Sequence, residues 1–121
     1  MTTNTDVVFT SEPHACILQI HLKRQQQLNA LSEQVLTHLS SLFQIAKQDS
    51  AIRAILITGE GKAFCAGADI KQLASLDGLT GLTFATFGQA TFRALETLGK
   101  PSLAAIQGFA FGGGCELAMS A

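Results

Sequence analysis

The order of apolar patterns along this 121-residue chain predicts an α/β domain, and three observations carry that prediction. Apolar residues first recur with period two, then with helical spacing, then in an unbroken run, which gives the order strand, strand, helix, strand. Two short apolar runs, residues 54–58 (AILIT) and 102–106 (SLAAI), each lead through a glycine-rich segment into a helical pattern. Finally, 47% hydrophobic residues with a formal net charge of −1 can fill a core and exclude a disordered segment.

Taken in order, residues 6–10 and 15–22 read as strands around a turn at residues 11–14 (SEPH), the second placing Cys16, Leu18, Ile20 and Leu22 on one face. After a polar link over residues 23–27, Ser32 is placed to cap a helix with Glu33 in its first turn. Val35, Leu36, Leu39, Leu42, Phe43 and Ala46 form its apolar stripe. Residues 54–58 lack alternation, as expected of a strand covered on both faces. Asp69 is placed to cap a short helix over residues 69–76, and DGLTG (residues 77–81) predicts an interruption. A second amphipathic helix follows, with Phe84, Phe87, Gly88, Thr91 and Leu95 on one side and Phe92 and Leu98 flanking it; Gly99 and Pro101 end it. With no linker, low-complexity tract or fixed-period repeat, a single domain is expected. Residues 116–121 continue a helical pattern without cap, glycine or proline, so residues 1–121 are expected to be part of a domain, cut within the helix that begins near Gly113.

Composition narrows the function. Only 14% of residues are charged, below the roughly one quarter usual in soluble domains, and mean hydropathy is +0.30, so apolar partners are expected: more of the same domain, other subunits or an apolar ligand. Eight Lys and Arg against nine Asp and Glu form no basic patch, which argues against nucleic-acid binding. The start of the chain lacks a positively charged segment followed by an apolar run, and no stretch approaches a membrane span, so a cytoplasmic protein without membrane association is expected. Cys16, Cys65 and Cys115 form no CxxC and leave one thiol odd, which suggests reduced, structural cysteines. A cysteine nucleophile normally needs a histidine base, and His14, His21 and His38 all lie far in sequence from the glycine motifs.

Those motifs are GEGKAFCAGAD (residues 59–69) and GFAFGGGCELA (residues 108–118). A glycine run between a strand and a helix brings bare backbone N–H groups to a helix N-terminus, where they favour developing negative charge. Two such segments can face one site, in the manner of an oxyanion hole. Glu116 stands just inside the second helix start, either as a catalytic carboxylate or as one stabilised by the helix dipole. Asp69 reads as a cap rather than an acid. The GxGK at residues 59–62 lacks the spacing and hydroxyl residue of a phosphate-binding P-loop.

FCAGADI (residues 64–70) and GFAFGGGCELA, with KRQQQLNAL (residues 23–31) before them and KPSLAAI (residues 100–106) between, resemble the enoyl-CoA hydratase/isomerase, or crotonase, superfamily. The likeness runs from about Val7 to the last residue, with the motifs in family order, although family domains are about twice as long as this chain. It implies an incomplete crotonase-like spiral of β-β-α units. It implies, further, that the N–H groups of Ala68 and Gly113 hold a thioester oxygen, with Glu116 matching the first of two glutamates that activate water. The second would lie beyond residue 121. Acyl-CoA would run along Ala66, Gly67, Ala68, Asp69, Ile70 and Gly113, with adenine beside the Ala66 backbone and phosphates near Lys23, Arg24, Lys62 or Lys71. Gln25 stands where many members carry proline, which touches loop rigidity. No metal or redox cofactor is implied, coenzyme A being part of the substrate, and a full-length member would be a trimer or a dimer of trimers. Hydration of 2-enoyl-CoA is the activity expected; isomerisation, acyl-CoA hydrolysis and non-catalytic acyl-CoA binding are the alternatives.

Overall fold

A computed structural model describes residues 8–14, by their backbone, and residues 16–121. Asp6, Val7 and Ala15, expected in strands, lie outside the described residues. β1 (Val8–His14) runs antiparallel to β2 (Ile17–Leu22), then α1 (Glu33–Gln48) crosses to β3 (Ala54–Gly59), which lies parallel to β2. β4 (Ala63–Cys65), α2 (Ile70–Ala74) and α3 (Gly78–Glu96) follow, and β5 (Ser102–Ala105), β6 (Phe109–Ala110) and α4 (Gly113–Ser120) complete the chain. The larger sheet has the order β1-β2-β3-β5; the smaller pairs β4 with β6. Two successive β-β-α passes, β3-β4-α2/α3 and β5-β6-α4, thus place their first strands in one sheet and their second strands in the other. The α/β class and the β-β-α succession agree with the expectation.

The core forms where α1 lies on the sheet. Its stripe of Val35, Leu36, Leu39, Leu42, Phe43 and Ala46 is buried with Leu18, Ile20 and Leu22 of β2 and Ile55 and Ile57 of β3. Each fully buried aliphatic side chain contributes about 1.5–3 kcal/mol, which outweighs the small helix propensity of Val35 and Phe43. Ser32 caps α1 as expected, its Oγ accepting from Val35 N–H at 3.2 Å. At the other end, Lys100 Nζ donates to the carbonyls of Ala46, Asp49 (2.8 Å) and Ile52 (2.7 Å), closing the C-terminus of α1 with a cation.

Three local expectations are corrected. Residues 11–14 are strand with a register irregularity, not a turn; β1 is an edge strand, where a proline costs no ladder bond. β3 is covered fully on one face and partly on the other, since Ile55 and Ile57 are buried while Ala54, Leu56 and Thr58 are half-buried. The interruption before α3 falls at residues 75–77 rather than 77–81: Asp77 and Thr80 form a reciprocal capping box, so the glycines at 78 and 81 become the first turn of α3. Beyond it, Thr91 and Leu95 are buried and Phe84, Phe87 and Phe92 pack against the core, as the spacing predicts. Exposed large apolar residues form two groups, Ile70, Leu73, Leu79 and Leu82 on α2 and the start of α3, and Leu103, Ile106, Phe109, Phe111 and Met119 from β5 to α4. None of the described helices is long and apolar enough to cross a membrane.

Candidate active site

The two glycine motifs meet because β4 and β6 pair in parallel, with Ala63 opposite Phe109 and Cys65 opposite Ala110. Phe111 N–H donates to Cys65 C=O at 3.1 Å, and α4 then starts directly over that carbonyl. The approach is so close that a Cβ on Gly114 would sit 2.0 Å from the Cys65 oxygen. On the other side, Gly67 takes φ +106°, a conformation that side chains resist, and carries the chain from β4 to Ala68.

A third segment fixes Ala68. Leu31 N–H donates to Gly67 C=O at 2.7 Å and Asp69 N–H to Leu31 C=O at 2.9 Å, a one-residue parallel bridge. That pattern uses the amides flanking Ala68 and turns the Ala68 N–H to the opposite side. Gly113 is the first residue of α4, whose opening N–H groups have no partner within the helix. Among the described residues neither the Ala68 nor the Gly113 N–H is donated to a protein acceptor, whereas those of Gly114 and Glu116 go to Phe111 and Gly112. Ala68, Gly113 and the exposed Glu116 line one cavity of about 230 Å³, walled by Leu31, Phe84 and Phe92. Backbone donors, a carboxylate and apolar walls together suit a reaction in which negative charge develops on an oxygen.

Asp69 caps α2, accepting from Lys71 N–H (2.9 Å) and Gln72 N–H (3.2 Å), and pairs with Arg24 at 3.0 Å. Burial pushes its carboxyl up, but the Gln72 amide, the Arg24 hydrogen bond and charge and the Lys71 amide together hold it below the usual range. Arg24 is further committed to Ala30 C=O at 2.9 Å. Cys65 is buried, and burial raises its thiol to about 11 against a lowering contact with the Gly67 backbone, so it is no thiolate near neutral pH. Cys115 is exposed, 3.8 Å from the Met119 sulfur. Among the described residues no group of three or more His, Cys, Asp and Glu could hold a metal ion.

Two open grooves of about 240 Å³ flank the site: one holds Lys23, Arg24 and Glu60, the other Ala66, Ala68, Asp69, Ile70 and Lys71. Lys62 is exposed and lines neither.

Two residues without an expected role hold the motif loops in place. Asn29, buried and at φ +58°, donates through Nδ2 to the carbonyls of Glu60 (2.9 Å) and Ala63 (2.8 Å) while its Oδ1 accepts from Arg24 N–H at 2.8 Å. Gln107 Nε2 donates to the carbonyls of Gly59, Gly61 (3.0 Å) and Ala63 (3.0 Å). The only signal for Asn29 in the sequence is its tolerance of left-handed backbone, and for Gln107 its place before a glycine.

A family model described as enoyl-CoA hydratase/isomerase matches residues 12–121. The chain is 39% identical over 116 residues to a short-chain-enoyl-CoA hydratase of Clostridium acetobutylicum, covering 95% of this chain and 44% of that protein. It is 48% identical over 103 residues to a probable enoyl-CoA hydratase of Mycobacterium bovis, covering 83% of this chain and 38% of that protein. A crystal structure of an enoyl-CoA hydratase from Bacillus anthracis superimposes with a TM-score of 0.90 at 32% identity, over 93% of this chain and 44% of that one. The chain therefore spans less than half the length of these relatives.

Proposed function

Since the chain belongs to the enoyl-CoA hydratase/isomerase family, we propose that its residues supply the N-terminal part of a cytoplasmic enoyl-CoA hydratase acting on 2-enoyl-CoA thioesters. The observation that supports this best is the meeting of Ala68, Gly113 and Glu116 at one cavity. The thioester oxygen accepts from the Ala68 and Gly113 N–H groups. Glu116 holds a water and takes its proton as the water oxygen bonds to the β-carbon. The electrons of the double bond move onto the thioester oxygen, and the enolate so formed takes a proton at the α-carbon on the same face, giving a 3-hydroxyacyl-CoA. Each fixed donor is worth about 2.7–4 kcal/mol at that oxygen, and acid–base help roughly a hundred- to ten-thousand-fold. The proton for the α-carbon comes from a second carboxylate, which the family pattern places beyond residue 121.

Coenzyme A lies along residues 66–70, adenine at the Ala66 backbone and phosphates toward Lys23 and Lys71. Arg24 serves there as a brace on Asp69. No metal or redox cofactor takes part. The exposed apolar residues of β5, β6 and α4 support subunit association, as a trimer or dimer of trimers.

The test is loss of crotonyl-CoA absorbance with the protein at full length. Gly113→Pro removes one donor at the first helical position, which accepts proline, and its Cβ falls 3.2 Å from Leu31 Cδ1, the movable end of a side chain. It is expected to lower kcat at least about a hundredfold while folding persists. Glu116→Gln should lower kcat by a similar or larger factor. Unchanged turnover in folded Gly113→Pro would overturn the assignment. Release of free coenzyme A thiol, or a shifted double bond, would replace hydration by another reaction of the family.

A further inference from the structure

A second and larger cavity, about 580 Å³, lies between α1, α3 and the segment joining α2 to α3. Phe84 lines both this cavity and the one at the paired donors, so its ring is their shared wall. The larger cavity is flanked by four hydroxyl side chains, and each is already committed. Thr37 donates to Glu33 C=O (2.9 Å), Ser75 to Gln72 C=O (2.7 Å), Thr80 to Asp77 Oδ1 (2.9 Å) and Thr83 to Leu79 C=O (3.1 Å). With these donors turned back onto their own turns, the wall is left with Leu76, Phe84, Phe87 and threonine methyl groups; Glu33 is its one ionisable side chain. A polar ligand would gain little there, whereas an alkyl chain asks for no donor and gains from every methylene removed from water.

We propose that Phe84 sets acyl-chain length: its ring closes the cavity at the paired donors against the tail of a long 2-enoyl thioester, and the 580 Å³ cavity receives that tail when the ring is absent or displaced. This rests on the hydratase reading above. Because the two cavities share Phe84, a chain whose thioester oxygen sits at Ala68 and Gly113 and whose β-carbon sits at Glu116 would cross from one to the other past that residue.

The experiment measures kcat/KM of the full-length protein for crotonyl-CoA and for 2-decenoyl-CoA. In Phe84→Ala the ratio of decenoyl to crotonyl is expected to rise at least about tenfold, since one or two methylenes newly accommodated in an apolar pocket are worth that much. Phe84→Leu, a milder change should alanine unfold the protein, should raise it in the same direction by a smaller factor. Thr37→Phe, which fills the larger cavity from α1, should cancel the gain in the Phe84→Ala background. A ratio that stays at the wild-type value in both Phe84 variants while crotonyl-CoA is still consumed would overturn the role of Phe84 and leave the hydratase reading standing. A gain that survives Thr37→Phe would overturn the placement of the tail. A wild-type protein that consumes neither thioester would overturn both.

Discussion

A methyl group at position 114 would collide with the Cys65 carbonyl, and the backbone on both sides is pinned, so neither partner can give way. Gly114→Ala is expected to destabilise the chain by about 1–3 kcal/mol or more, read as a lower urea midpoint at unchanged m. Asn29→Ala removes a buried amide that serves three backbone groups at once; Ala63 C=O keeps Gln107, but the loss at the Glu60 carbonyl and the Arg24 N–H should cost at least about 2 kcal/mol by the same measurement. Asp69 adds a pH signature. Its carboxyl is held below the usual range in the folded state, so the stability it lends is present above the ordinary carboxylate pKa and is lost as pH falls through the folded-state value. Asp69→Asn keeps an oxygen for the cap but loses the charge opposite Arg24. Denaturation midpoints of wild type and Asp69→Asn should therefore differ near pH 7 and converge in acid; a gap unchanged down to pH 2 would contradict this account.

Elements differ in how much of themselves they write into the sequence. α1 was legible because its stripe and its Ser32 cap are independent signals that agree, and β2 because Leu18, Ile20 and Leu22 alternate. β4 and β6 were not, being three and two residues long, too short for any period to show. They are nonetheless what joins the motifs, so the sequence pointed to Ala68, Gly113 and Glu116 but not to the pairing that brings them together. The start of α3 was placed too late because two glycines outweighed the Asp77–Thr80 box, a local capping effect stronger than propensity. Asp77→Ala should accordingly speed amide exchange at residues 78–81 more than elsewhere in α3. Lys100 was hidden for another reason: its partners lie 48 to 54 residues away. Lys100→Met leaves three carbonyls at the end of α1 without their cation, with an expected loss of about 1.5–3 kcal/mol in thermal or chemical denaturation.

At the scale of the molecule, α1 has its apolar face covered, while the start of α3 and the β5–α4 end display apolar side chains. Leu103 on the outer strand is 64% exposed and Met119 78%. An edge of that kind pairs readily with another copy, so the 121-residue chain is expected to associate, its sedimentation mass rising with concentration, and Leu103→Lys to reduce that association. A monodisperse monomer at all concentrations would contradict it. The pairing of β4 with β6 has a consequence of another kind. The two N–H groups at the cavity belong to segments well separated along the chain and held together by a short ladder between β4 and β6, so a ligand oxygen that accepts from both is a removable cross-link across a long loop. Its binding should slow hydrogen exchange in residues 63–69 and 108–114 together, by the same free energy, while leaving β1 and β2 untouched. In that sense an acyl thioester is a fastener for the fold as well as a substrate.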